Sequence, residues 1–172
     1  MNTDASLTAE LAPVLRQIGR TLQSHQAMLT CAESCTGGWI TKLITDQPGS
    51  SKWFDRGFIT YSNTAKQHML DVPTSLLTQY GAVSQPVAEA MVTGAIKHST
   101  AAFALAVTGI AGPDGGSLDK PVGTVWLAWA GPTGIQSCSE YFTGDRDQIR
   151  QATVRASLTG LAKRYLASTG TT

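Results

Sequence analysis

An α/β fold is the architecture this sequence predicts, on three observations. Amphipathic helical segments alternate with short apolar runs as far as residue 109, the order that builds a layered sheet. Two later apolar runs straddle a "GPTG" turn as a hairpin, which adds antiparallel strands and makes the sheet mixed. With 172 residues, 42% hydrophobic and 15% charged, the chain has the length and apolar content for one domain with a real core.

Each element follows from its own pattern. Leu7, Leu11, Val14, Leu15, Ile18 and Leu22 recur at helical spacing and predict a first helix over about 5–24. "AMLTCA" (27–32) is a short buried strand, and "GGWITKLITD" (37–46) is a helix with Ile40, Leu43 and Ile44 on one face. "WFDRGFITY" (53–61) is aromatic and β-branched, hence a strand. "SNTAKQHML" (62–70) is a helix with Ser62 or Asn63 as N-cap. "PTSLLTQYG" (73–81) is a short helix stopped by glycine, and "SQPVAEAMVTGAIKHS" (84–99) a longer one with Pro86 near its start. "AAFALAVTG" (101–109) is a continuous apolar run, suited to a central strand buried on both faces. A glycine- and proline-punctuated loop (109–123) then leads to the hairpin strands "TVWLAWA" (124–130) and "IQSCSEYFT" (135–143). Val154, Leu158, Leu161 and Tyr165 mark a final helix, which Asp145 and Gln148 open as a capping box. No internal repeat or low-complexity linker divides the chain, so residues 1–172 are expected to form a single domain with its core over about 27–168.

Composition excludes several classes of function. Net charge is +1 with no basic block, which removes the electrostatic case for nucleic acid as the main partner. No stretch approaches the roughly 20 apolar residues that span a bilayer, and "MNTDASLTAELAPVL" lacks the basic and apolar regions of a signal peptide. Cys31, Cys35 and Cys138 are odd in number without zinc-type spacing, so reduced thiols in a cytoplasm are expected. His25, His68 and His98 are scattered, and neither a metal nor a cofactor is called for.

Sites in such sheets gather at the carboxyl ends of parallel strands, where three polar or glycine-rich loops converge: 32–38, 61–66 and 108–116. The first reads "CAESCTGG" over 31–38. Ser34 stands where strand becomes helix, and the N–H groups of Cys35, Thr36, Gly37 and Gly38 are expected as free donors for a phosphate or an oxyanion. Two readings stay open on spacing alone. Ser34 or Thr36 caps the helix, which is the commoner role, or Ser34 is a nucleophile, placed as in an elbow although G-x-S-x-G is absent. Cys35, beside a helix N-terminus, is a rival nucleophile if its pKa is low.

A serine nucleophile needs a base. No histidine lies in the three loops, and His68 is expected at the surface or in packing. Lys66 falls in the first turn of the helix that Ser62 or Asn63 opens, where the dipole disfavours a positive charge and burial would lower its pKa toward a neutral amine. A lone lysine is otherwise a solvated charge. "SLDK" (117–120) matches S-x-x-K, but its companion motifs are missing and it lies in a flexible loop. Tyr61 ends the second strand, where it would donate a hydrogen bond, stack on a base, or merely terminate the strand. "TGIAGPDGG" (108–116) brings Thr108, Gly109 and Gly112 to the same end of the sheet, with backbone open to a ligand. Arg146 would sit at the N-terminus of the last helix, either as a phosphate ligand or as a solvated first-turn residue.

"AESCTGG", "GSSKWFDRGFITYSNTAK", "GAVS", "TGIAGPDGG", "KPVGTVW" and "GDR" occur in this order, and together they resemble the CinA C-terminal domain family over about Met28 to Arg150. The stand-alone members of that family are nicotinamide-nucleotide amidohydrolases. The molybdopterin-binding-type domain of its two-domain members is not found here, so its pyrophosphatase activity is not carried over. The resemblance implies a three-layer α/β/α sandwich around a mixed, mostly parallel sheet, a homodimer, and hydrolysis of nicotinamide mononucleotide to nicotinate mononucleotide and ammonia. It also implies a serine–lysine pair, by motif match Ser34 and Lys66, with Tyr61 nearby. Donors at 35–37 would then hold the oxyanion, and Arg146 with the glycine-rich loop would take the phosphate. The alternatives are a non-catalytic pyridine-nucleotide-binding module and an amidase for another small amide.

Overall fold

Every strand and helix expected from the sequence forms, and alternation along the strands sorts the core into two unlike faces. The computed structural model describes residues 3–166; residues 167–168, the end of the expected core, lie outside the described residues. The helices are α1 (Thr3–Ser24), α2 (Trp39–Thr45), α3 (Asn63–Leu70), α4 (Thr74–Tyr80), α5 (Gln85–Lys97) and α6 (Arg146–Tyr165), with a 3₁₀ turn at Ser50–Lys52. The strands are β1 (Leu29–Glu33), β2 (Phe54–Ile59), β3 (Phe103–Gly109), β4 (Thr124–Gly131) and β5 (Gly134–Tyr141).

The five strands lie in the order β2-β1-β3-β4-β5. β1 pairs parallel with β2 and β3, while β3–β4 and β4–β5 are antiparallel. The sheet is mixed as expected, but parallel pairing makes up two of the four ladders rather than most of them. The reason lies in the connections. β3 returns to β4 through a loop, without the crossover helix that parallel neighbours need.

On one face, Leu105 and Val107 of β3 and Val125, Leu127 and Trp129 of β4 meet the buried stripes of α1, α2 and α6. On the other, Ala104, Ala106, Ala128 and Ala130 meet Val87, Met91, Val92 and Ala95 of α5, with α3 and α4 alongside. The alanine face lets α5 lie close to the sheet, whereas the large side chains opposite fill the space beneath three helices. Helices on both faces complete the three-layer sandwich that the resemblance implies. Close packing continues between helices: a Cβ on Gly94 of α5 would come 2.0 Å from the carbonyl oxygen of Leu70, the last residue of α3.

β1 has β2 on one side and β3 on the other, so the chain leaves β1 one way and re-enters the sheet beside it the other way. That reversal opens a crevice beyond the carboxyl ends of β1 and β3. The residues just past those ends are Ser34 and Ile110. No helix among the described residues is long and apolar enough to cross a membrane.

Candidate active site

Ser34 is buried at 8% exposure, and its amide N–H donates to Val107 O of β3 at 3.1 Å, which ties the residue to the head of the central strand. Lys66 reaches the same point from α3. Ser62 is the N-cap of that helix, its hydroxyl accepting from the Ala65 amide at 3.0 Å. Lys66, four residues on, is only 1% exposed. Its Nζ donates to Ser34 Oγ at 2.9 Å, to Thr60 O at 2.8 Å and to Tyr61 O at 3.5 Å. Burial lowers its pKa to about 8, since the charged form loses its hydration.

The turn between β1 and α2 differs from the expectation in an informative way. Neither Ser34 nor Thr36 caps α2. Glu33, the fully buried last residue of β1, does so: its carboxylate accepts from the amides of Gly38 (3.0 Å), Ile40 (3.1 Å) and Thr41 (2.7 Å) and from the Thr41 hydroxyl (2.7 Å). An acid at a helix N-terminus satisfies the unpaired donors and opposes the dipole. Gly37 (φ 59°) and Gly38 (φ 99°) are left-handed, a geometry that suits glycine and folds the helix back over Glu33.

The expected donors at Gly37 and Gly38 are therefore occupied, Gly37 N–H by Ser34 O at 3.1 Å and Gly38 N–H by Glu33. Those of Cys35 and Thr36 have no backbone acceptor among the described residues, and the Cys35 N–H lies against its own thiol. With capping assigned to Glu33, the Ser34 hydroxyl has only Lys66 as a partner among the described residues, and the buried Thr36 hydroxyl has none among them.

A cleft of about 190 Å³ opens over this pair. Of the residues expected there, Ser34, Cys35, Tyr61, Lys66, Thr108, Gly109 and Arg146 line it, whereas Thr36, Gly37, Gly38 and Gly112 do not. Cys35 is not a low-pKa thiol: burial pushes it up to about 12, and the negative charge of nearby Glu33 works in the same direction. Tyr61 is 63% exposed, and its hydroxyl accepts from Arg146 Nη2 at 3.0 Å. Arg146, the first residue of α6 and inside the Asp145–Gln148 capping box, also donates Nη1 to Gly112 O at 2.6 Å. The Thr108 hydroxyl is spent on Ala82 O at 2.9 Å. A Cβ on Gly109 would strike Val125 Cγ2 at 2.6 Å, so this glycine serves close strand packing as well as the cleft. His68 is exposed and takes no part.

Sequence reasoning missed several contributors. Asn63, Ala82, Val83 and Ala111 also line the cleft; "GAVS" holds two of them, without any chemical group to signal a site. Glu33 had a readable signal, an acid closing an apolar strand just before a glycine pair. Arg150 had none, since it enters from α6 across the tertiary fold. In the "SLDK" stretch, Ser117 Oγ accepts from the Lys120 amide while Lys120 Nζ binds Tyr80 O, a local turn rather than a reactive pair.

Residues 11–165 match the CinA C-terminal domain family. The nicotinamide-nucleotide amidohydrolase PncC of Escherichia coli (strain K12) is 49% identical over 162 residues, covering 94% of this chain and 98% of that protein. The protein of the same name from Pseudomonas putida is 54% identical over 145 residues, or 84% of this chain and 91% of that one. Among solved structures, the competence/damage inducible protein CihA from Agrobacterium tumefaciens aligns with a TM-score of 0.83 at 47% identity, over 86% of this chain and 91% of that chain. By the family match, these relatives and the shared fold, the chain belongs to the CinA C-terminal domain family.

Proposed function

We propose that this chain, as one amidohydrolase domain, hydrolyses the carboxamide of nicotinamide mononucleotide to nicotinate mononucleotide and ammonia, with Ser34 as nucleophile and Lys66 as its base. The names of the PncC relatives support the substrate. The observation that carries the mechanism is the set of partners around Lys66 Nζ. Two of its three acceptors, Thr60 O and Tyr61 O, are carbonyls that only accept. When the amine is neutral, its two hydrogens stay with those carbonyls and its lone pair faces the third partner, the Ser34 hydroxyl.

Lys66 then takes the Ser34 proton as Oγ attacks the carboxamide carbon, and the carbonyl oxygen becomes an oxyanion held by the N–H groups of Cys35 and Thr36. Lys66 returns the proton to the nitrogen, which leaves as ammonia when the C–N bond breaks. Water, deprotonated by the same amine, cleaves the resulting serine ester and releases the carboxylate. Arg146, held by Tyr61 Oη and Gly112 O, is the proposed phosphate ligand, and Tyr61 orients it. The reaction belongs to pyridine-nucleotide salvage. A homodimer and a cytoplasmic location complete the reading; the second is supported by three cysteines that are all free thiols.

The test is ammonia release from nicotinamide mononucleotide by the wild type, Ser34→Ala and Lys66→Ala. Loss of about 10⁴-fold or more in each variant is expected for a nucleophile and its base. Tight binding of the nucleotide without ammonia release by the wild type would make the chain a binding module instead. Faster release from another small amide would reassign the substrate.

A further inference from the structure

The side chain that reaches the Ser34 turn from farthest in sequence is Arg150, one helical turn after Arg146 on α6. Its Nε donates to Cys35 O at 3.1 Å and its Nη2 to Thr36 O at 3.0 Å, and its guanidinium stacks on the Trp39 ring at 5.1 Å. A trans peptide points its N–H opposite its carbonyl. Arg150 holds the Cys35 carbonyl, so it turns the Thr36 N–H of the same peptide to the other side. Gly37 N–H holds the Ser34 carbonyl at 3.1 Å and turns the Cys35 N–H in the same manner. These are the two amides of the turn that have no backbone acceptor among the described residues.

We propose that Arg150 is a positioning residue for the acyl-transfer step, presetting the Thr36 amide through the Cys35 carbonyl and, through the Thr36 carbonyl, the Gly37 N–H that in turn sets the Cys35 amide. This rests on the serine-nucleophile reading above. Glu33 secures the helix side of the turn and Arg150 the carbonyl side, so neither peptide has to reorient when negative charge develops. The cation next to the carbonyls also polarises both peptides and strengthens the donors at their other ends. Lysine cannot replace it, because two divergent carbonyls need the planar fork of a guanidinium. One helix thereby carries two arginines at the site: Arg146, which lines the cleft, and Arg150, which braces the turn that carries Ser34.

Steady-state ammonia release by Arg150→Ala and Arg150→Lys, with and without added methylguanidinium, tests this. Loss of one oxyanion donor costs about 10²–10³ in kcat; misalignment of a donor pair should cost about 10–100-fold in kcat for Arg150→Ala. KM should stay within about threefold, with partial rescue by methylguanidinium and an intermediate rate in Arg150→Lys. If Arg150→Ala does not fold, Arg150→Lys alone carries the test, with a kcat loss of about 5-fold or more expected at unchanged KM. A kcat change under about threefold, a loss confined to KM, or a kcat loss that follows lowered thermal stability without rescue would overturn the proposal. Ser34→Ala assayed alongside separates the two readings: if that variant keeps its activity, the nucleophile assignment fails whatever Arg150 does.

Discussion

Lys66 Nζ stands 2.9 Å from Ser34 Oγ across 32 residues of sequence, and both groups are almost completely removed from water. Burial lowers the lysine's pKa to about 8. Below that pH the amine is protonated and cannot accept the serine proton; above it the base is present. The expected outcome is a kcat/KM for ammonia release that rises with pH through a midpoint near 8, with roughly a tenth of the enzyme competent at pH 7. A flat profile between pH 6 and pH 9 would exclude Lys66 as the titrating base, and steady-state rates across that range check it.

Cys35 borders the cleft but holds its proton, because burial pushes its pKa up to about 12. At neutral pH only about one molecule in 10⁵ carries the thiolate. Cys35→Ala is therefore expected to keep kcat within about fivefold of the wild type. Iodoacetamide at pH 7, followed by peptide mass mapping, should label the half-buried Cys138 well before Cys35.

Glu33 gathers four donors within 3.1 Å in a fully buried setting. Glu33→Ala strands three backbone amides at the start of α2 and is expected to cost about 2–4 kcal/mol, read from the urea midpoint. Glu33→Gln, which keeps one acceptor oxygen but turns an NH₂ toward donors, should fall between that variant and the wild type. Both should lose activity, since the turn that carries Ser34 is built on these bonds.

Gly94 tests how firmly Lys66 is held. A methyl group there would collide with Leu70 O at the end of α3, so Gly94→Ala must push α3 away from α5. Overpacking of this kind costs about 1–3 kcal/mol. Thermal denaturation should show the loss, and kcat should drop with it because α3 carries the lysine.

Apolar spacing, composition and turn signals placed the six helices and five strands of the described residues, because all of these are local information. The Ser62 N-cap and the Asp145–Gln148 capping box were equally legible, since a cap and its helix are neighbours in sequence. The convergence of the three loops was also legible, as it follows from strand order at a parallel sheet's end. What could not be read locally was which residue of "CAESCTGG" does what. Spacing left Ser34 and Thr36 competing as caps, Cys35 as a rival thiolate, and Gly37 and Gly38 as free donors.

The tertiary structure reassigned these roles through distant partners. Glu33 folds back to cap α2, which leaves Ser34 to Lys66, 32 residues away, and removes Gly38 as a donor, while the Ser34 carbonyl takes the Gly37 N–H. Arg150 arrives from more than a hundred residues away to hold the Cys35 and Thr36 carbonyls. The sequence by itself determined which elements form, since hydrophobic spacing and capping act between neighbours. Which atoms meet, and how far burial shifts the pKa values of Lys66 and Cys35, was decided only by the packed fold, because desolvation depends on everything that closes around a group.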